Sequence, residues 1–576
     1  MKSFLKYTLA TMVGISLLVF FFFILIIAIG SSSDEVRIRE NSILSLKLDK
    51  RIVEDAEKNP FMEFGFDEFN DNFPLGLNDI LNSIKHAAED DNIQAIVLQS
   101  GSVGAGMSTI KEIRDALLDF KKSGKKVISF ADGYTQTGYY LSSVADKVYL
   151  HPEGDLELKG LGANVIFLKD FFKKIGVEPQ VIRHGKFKSA VEPLILDKMS
   201  EANYKQTKKF IDALWKSMVD DIAASRGVSV DDLNVMAEGL KIREAKDAMS
   251  HKLVDGLIYQ DEVKAKIEEE TGVAYKQLVK LQKYNSANGM SKLGKDKIAV
   301  IYCEGTIIHG KSTDGNMGSE TIAKAIAKAR KSKRIKAIVL RVNSPGGSSL
   351  ASDIIWRETV LAKKEKPLIV SMGDYAASGG YYIATAADKI YAQPNTLTGS
   401  IGVFGVLFSM EELFHDKLGL NVDGYNTHTY SDMGNASRRL TADERNIIQH
   451  SVERVYDTFI THVAEGRGMT KMAVDSIGQG RVWAGSDALN NGLVDEMGGI
   501  DEAIAEAAKR ANLTDYSIRE YPIKDGFGFT KLFGGMMMQH SLEAQLDKIS
   551  PELTKWMELK DMEGVQARVP FMLEVY

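Results

Sequence analysis

The sequence predicts an α/β protein built as two tandem units behind one N-terminal transmembrane helix, and three observations predict it. The first is an internal repeat. Ile93-Gln94-Ala95-Ile96-Val97-Leu98 returns as Ile335-Lys336-Ala337-Ile338-Val339-Leu340, Asp132 as Asp374, Gly138-Tyr139-Tyr140 as Gly380-Tyr381-Tyr382, and Ala145-Asp146-Lys147 as Ala387-Asp388-Lys389, all at an offset of 242. Leu253-Val254-Asp255 returns as Leu493-Val494-Asp495 at an offset of 240. One register kept through so many pieces is the signature of a duplication. The second observation is that short β-branched runs alternate with helical spacing inside each unit, the pattern of a largely parallel sheet. The third is Tyr7 to Gly30, a run of 24 residues without a charge, long enough to cross a bilayer.

In chain order, residues 1–6 read as a cytoplasmic N-terminus and 7–30 as the anchor. Lys2 and Lys6 precede the apolar run, which puts the bulk of the chain outside the cytoplasm, although Arg37 and Arg39 soften the asymmetry. A cleaved signal peptide carries a shorter apolar region, about 7 to 15 residues. The first unit spans 31–290. It opens on the alternating strand pattern Ser42 to Leu48 and continues through a loop insertion at Phe61 to Phe73, a helical stretch around Leu77 to Ala88, and the strand Ile93 to Leu98. A polar, small-residue boundary falls near Tyr284 to Lys295, after which Ile298 to Tyr302 restarts the pattern in the second unit, 291–525. The tail, 526–576, has no counterpart in the repeat; its Gly526-Phe527-Gly528-Phe529 and Met536-Met537-Met538 read as a packed cap, a subunit contact or a mobile apolar surface.

Composition removes several function classes. The chain has 576 residues, more than one core usually serves. Its 72 basic and 78 acidic residues give a net charge of -6 without a basic block, which argues against a nucleic-acid partner. Cys303 is the single cysteine, so no intrachain disulfide forms, and no histidine pair has the spacing of a zinc motif.

The two units differ where chemistry would sit. Pro367 to Met372 reads as a strand and Tyr382 to Ala387 as a helix, which places Ser378 in the turn between them. A serine there is ordinarily a helix cap, but it is also where a nucleophile would be exposed beside free N–H groups. The first unit has Gln136 at this position. Opposite Asn343-Ser344-Pro345-Gly346-Gly347-Ser348 it has Gly101 to Gly106, so the second unit alone has a Pro-Gly-Gly turn whose backbone N–H groups could face an oxyanion. A serine nucleophile needs a base. None of His309, His415, His428, His450, His462 and His540 lies in an organised motif. The first unit offers Lys188, within Val181 to Pro193, with His184 as a rival. Aligning Gly176 on Gly419 puts Ser431 opposite Lys188, so the units complement each other. For Lys188 to act near neutral pH its pKa must fall by about 3 units from about 10.4, equivalent to about 4 kcal/mol. Burial among Phe187, Ala190 and Val191 would achieve this if Glu192 points away.

Four segments together, Asn343 to Ser348, Tyr375 to Tyr381, Leu397 to Gly405 and Lys186 to Pro193, resemble the long, duplicated form of the signal peptide peptidase A (protease IV) family. The resemblance implies two crotonase-like or Clp-protease-like domains and a Ser/Lys dyad at their junction. Ser378 would be the nucleophile and Lys188 the general base; N–H groups of Gly346 or Gly347 and of Gly379 would hold the oxyanion, and Ser400 would orient the lysine. It also implies a homotetramer on the bacterial inner membrane with its catalytic bulk in the periplasm, signal peptides and other hydrophobic peptides as substrates, and no metal or organic cofactor. Two other readings are a crotonase-like acyl-thioester enzyme, which an extracytoplasmic location disfavours, and a catalytically idle membrane scaffold.

Overall fold

The computed structural model describes residues 38–56, 73–288, 294–313, 315–523, 564–568 and 574–575, with parts of 3–21. The anchor beyond residue 21, the loop insertion up to residue 72 and most of the tail therefore lie outside the described residues. Among those described, no helix is long and apolar enough to cross a membrane.

Each unit folds around a parallel sheet with the same strand order. The first runs Leu278–Lys280, Ser42–Leu46, Ile93–Leu98, Lys126–Ala131, Lys147–Leu150, Gly256–Leu257. The second runs Ser517–Tyr521, Lys297–Glu304, Ile335–Ser344, Leu368–Ala377, Lys389–Ala392, Glu496–Met497, with Leu397–Gly399 and Val482–Ala484 continuing from the far end of Leu368–Ala377. The repeat in the sequence is thus a repeat of strands, and the fold is the tandem α/β arrangement.

Alternation along Lys297–Glu304 shows how the units join. Ile298, Val300 and Tyr302 lie in one buried cluster with Ile80, Ile84, Ile110 and Ile113 of the first unit. Ala299, Ile301 and Cys303 face the opposite cluster, with Ile326 and Ile355 of the second unit's own helices. Successive strand side chains point to opposite faces, so the second sheet is covered on one side by its own helices and on the other by the first unit. That double covering is what a parallel sheet of continuous apolar strands requires.

A third sheet mixes the units, in the order Asn316–Gly318, Thr306–Ile308, Gly346–Ser348, Gly564–Arg568, Phe404–Ser409, Glu178–Arg183. Glu178–Arg183 of the first unit runs antiparallel to Phe404–Ser409 of the second, from Arg183 opposite Phe404 to Glu178 opposite Ser409. The Pro-Gly-Gly segment differs from its expected turn: Gly346–Ser348 is a strand in this sheet. Glycine makes that pairing possible, because a Cβ on Gly347 would fall 2.1 Å from the Ile307 carbonyl oxygen.

Candidate active site

Strand Leu368–Ala377 delivers Ser378 to the first position before helix Gly379–Ala384. Its backbone is held at φ 56° and ψ −114°, an unfavourable conformation for a residue with a Cβ. The Ser378 N–H donates to the Gly399 carbonyl at 2.8 Å, which fixes the bend. Its hydroxyl does not cap the helix. Instead Ser378 Oγ lies 2.7 Å from Lys188 Nζ. In the first unit the corresponding place is filled: the Gln136 amide accepts from the Lys159 and Gly160 N–H groups and donates to the Gly160 carbonyl.

Lys188 reaches the second unit because the antiparallel pairing of Glu178–Arg183 with Phe404–Ser409 carries its segment across. Nζ also lies 3.1 Å from both the carbonyl oxygen and the hydroxyl of Ser400. Lys188 is 1 % exposed and Ser378 fully buried. Burial holds the Lys188 amine well below its ordinary pKa. Glu192, the residue that could have restored the charge, is turned away: it accepts from Ser200 and Asn203 and faces Arg183. A neutral amine has one lone pair and two N–H groups. It can therefore accept from the Ser378 hydroxyl while donating to the two Ser400 oxygens. The rival base is engaged elsewhere, with His184 Nδ1 2.6 Å from Glu453 and its ring stacked on Tyr456. Ser431, opposite Lys188 in the repeat, sits in an exposed turn.

The glycines expected to face an oxyanion lie on two elements, the strand Gly346–Ser348 and the helix Gly379–Ala384. Gly379 is the first residue of its helix, where an N–H has no intrahelical partner. The Gly346 N–H donates to Ser344 Oγ at 3.2 Å, and that hydroxyl donates to the Gly305 carbonyl at 2.6 Å, so the loop is internally braced. Cys303, the one thiol, is fully buried, and burial pushes it up to about 12, which leaves it unreactive.

Two glycines missed in the sequence make room for the lysine. A Cβ on Gly480 would fall 2.6 Å from the Lys188 backbone, and Gly480 has φ +83°; a Cβ on Gly402 would fall 3.2 Å from Lys188 Cδ. The cluster Gly478-Gln479-Gly480 was the available signal. Gly480→Ala is expected to displace the lysine and lower kcat/KM by about 100-fold while the protein stays folded; wild-type activity in a folded variant would contradict this packing role.

The sequence also did not reveal what clamps the units together behind the site. Arg341 is fully buried and bonds Glu54 at 2.8 Å and Glu112 at 2.6 Å, both carboxylates from the first unit. Glu54 also accepts from Asn343, whose side-chain oxygen accepts from the Tyr375 N–H, three residues before Ser378. Asp374 accepts from the N–H groups of Ser108 and Thr109 at the start of first-unit helix Met107–Lys121. Among the described residues no cluster of side chains could hold a metal ion.

Comparison with known proteins shows the family. The peptidase family S49 model matches residues 119–274 and 361–514, one stretch in each unit, and the Clp protease model matches 290–398. Protease 4 of Salmonella typhi is 39% identical over 77% of this chain and 74% of its own length. The chloroplastic serine protease SPPA of Arabidopsis thaliana is 34% identical over 83% of this chain and 70% of its own length. The putative signal peptide peptidase SppA of Enterococcus faecium is 36% identical over 36% of this chain and 61% of its own length. The chain belongs to peptidase family S49 and is a serine-type peptidase.

Proposed function

We propose that this peptidase is a membrane-tethered endopeptidase that degrades cleaved signal peptides, with Ser378 as nucleophile and Lys188 as general base. The observation that carries the reading is the 2.7 Å approach of Lys188 Nζ to Ser378 Oγ. It is supported by the burial that holds the amine well below its ordinary pKa. As Ser378 Oγ bonds to the peptide carbonyl carbon, its proton passes to Lys188. The oxyanion faces the Gly379 N–H and the Gly346–Gly347 segment. Lys188 then returns the proton to the leaving amine and takes one from the water that hydrolyses the acyl-enzyme. Ser400 holds the amine in place throughout, through two contacts of 3.1 Å.

The uncharged run Tyr7 to Gly30 would tether the chain to the bacterial inner membrane, its bulk in the periplasm, and the family resemblance extends the proposal to a homotetramer. Tyr7, Met12, Leu18 and Phe21, all apolar and exposed, suit such a tether. The test is hydrolysis by the detergent-solubilised chain of a synthetic signal peptide against a polar peptide of equal length. Internal cleavage of the signal peptide at a kcat/KM at least about tenfold higher is expected, a margin of about 1.4 kcal/mol. Equal rates would overturn the substrate class.

A further inference from the structure

Lys188 lies in neither helix nor strand, so no regular ladder of backbone hydrogen bonds fixes it. Gln206, on the first-unit helix Glu201–Arg226, grips the segment from outside. Its Nε2 lies 2.9 Å from Ser189 Oγ and 3.1 Å from the Phe187 carbonyl oxygen, so it holds both neighbours of Lys188. At its other end, Gln206 Oε1 accepts the Val482 N–H of the second unit at 3.2 Å. A backbone N–H only donates and a carbonyl only accepts, so these partners fix which end of the amide faces which unit. The third contact of Nε2, with Asn203 Oδ1 at 3.3 Å, stays within the helix. Gln206 is 2 % exposed, and a buried amide is stable at such a place only when its hydrogen bonds are made.

The second-unit strand that Gln206 holds is itself tied to the nucleophile. Val482 is opposite Gly399 in the pairing of Val482–Ala484 with Leu397–Gly399, and the Gly399 carbonyl accepts the Ser378 N–H at 2.8 Å. Just before Val482, the Arg481 carbonyl accepts the Ser400 N–H at 2.7 Å. We propose that Gln206 is a positioning residue for peptide hydrolysis: one amide spans from both flanks of the base to the strand that anchors the nucleophile, and so sets the separation of Lys188 from Ser378. The inference rests on the Ser378–Lys188 reading of the site. The helix does not need this amide in order to dock, because one and two turns further on Phe210 and Leu214 lie in a buried cluster with Leu397, Val482 and Ala484. Removing the amide's bonds therefore moves the lysine segment rather than the helix. A proton passes between Ser378 and Lys188 only at hydrogen-bond distance, so a small displacement of the lysine acts on the chemical step and leaves peptide binding unchanged. Water that follows the loosened segment also solvates the amine and moves its pKa back toward the ordinary lysine value.

The test measures kcat, KM and their pH dependence on a fluorogenic apolar peptide, in the full chain carrying Gln206→Met, which keeps the length of the side chain and loses its hydrogen bonds. kcat is expected to fall about 30-fold with KM within about twofold of wild type, and the rise of kcat with pH to move upward by about one unit. Met218→Ala is the stability control. Met218 lies about three turns further along the same helix, buried in the cluster that holds Ile110 and Ile113, so its truncation lowers the Tm and is expected to leave kcat and its pH profile as they are. In a Lys188→Met background, Gln206→Met is expected to change the residual turnover by less than about twofold, since the amide acts through the lysine. Should Gln206→Met fail to fold, Gln206→Asn, one methylene too short to span both units, carries the same test with a loss of about fivefold. An unchanged kcat, a fall in kcat with an unmoved pH profile, or an equal further loss in the Lys188→Met background would overturn the positioning role, and a nearly inactive Lys188→Met would leave the dyad standing. A Lys188→Met variant that keeps most of its activity would instead overturn the dyad, and the positioning role with it.

Discussion

Replacing Lys188 by methionine is expected to lower kcat/KM by about 10³- to 10⁴-fold, the scale of losing a positioned general base, and to make the protein more stable at neutral pH. Both effects have one cause. The amine is buried without a compensating carboxylate, which is what makes it a base and also what makes it costly to fold. The sign follows from proton counting. In the folded state the Lys188 pKa lies below its unfolded value of about 10.4, so across that interval the unfolded chain binds more protons and stability rises with pH. The penalty is full below the folded pKa and gone above about 10.4. Methionine removes the penalty and roughly keeps the shape. The Tm of Lys188→Met should therefore exceed that of wild type at pH 7, with the gap closing toward pH 10. Wild-type kcat/KM should climb with pH as the amine loses its proton. Ser378→Ala should lose as much activity as Lys188→Met, and the double variant no more than either, because groups that act as a unit are not additive. Retention of a tenth of wild-type activity by Lys188→Met, or a Tm gap independent of pH, would sink this account.

How much of this was legible in the sequence depended on whether the cause was local. The strands around Ile93 and Ile335 were readable because a parallel strand buried on both faces is a continuous apolar run, and the common register showed that one pattern had been written twice. Ser378 stood out through a difference between the copies, since Gln136 occupies its place in the first. Lys188 could be nominated by the same comparison. What the residues around it could not show is the pairing of Arg183 with Phe404, which carries the lysine to the serine 190 positions away. Strand pairing across units is decided by tertiary packing, and no local periodicity encodes it. The Pro-Gly-Gly segment was misjudged for the same reason. As an isolated string it is a turn, and it becomes a strand only because Thr306–Ile308 approaches where a side chain would not fit. Gly402 and Gly480 were silent because a glycine's purpose is set by the atom that occupies its missing Cβ, here Lys188.

The second large effect is expected at Arg341, which lies behind the site and is not proposed to touch the substrate. Arg341→Met should destabilise the protein by about 3 to 5 kcal/mol, because it leaves the buried carboxylates Glu54 and Glu112 without their cation. Already in the wild-type chain, burial pushes the Glu112 carboxyl up to about 7 against the attraction of Arg341. Removing the arginine raises Glu112 further. A carboxyl whose folded pKa is raised contributes stability below its unfolded pKa, near 4.3, and loses it as pH rises through the folded value. The defect should therefore be smaller at pH 5 than at pH 8, which denaturant unfolding at the two pH values will measure. Activity should fall with stability, because Glu54 also holds Asn343, and Asn343 holds the backbone at Tyr375 on the strand that presents Ser378. Adding Glu54→Gln and Glu112→Gln to Arg341→Met removes the orphaned charges and should recover most of the lost stability, since a buried ion cluster replaced as a whole is often neutral. If Arg341→Met costs less than about 1 kcal/mol, or costs the same at both pH values, the cluster is not the electrostatic clamp between the units. If the triple variant regains stability but not turnover, the arginine acts on catalysis through the geometry of Asn343 and Tyr375, separately from holding the two units together.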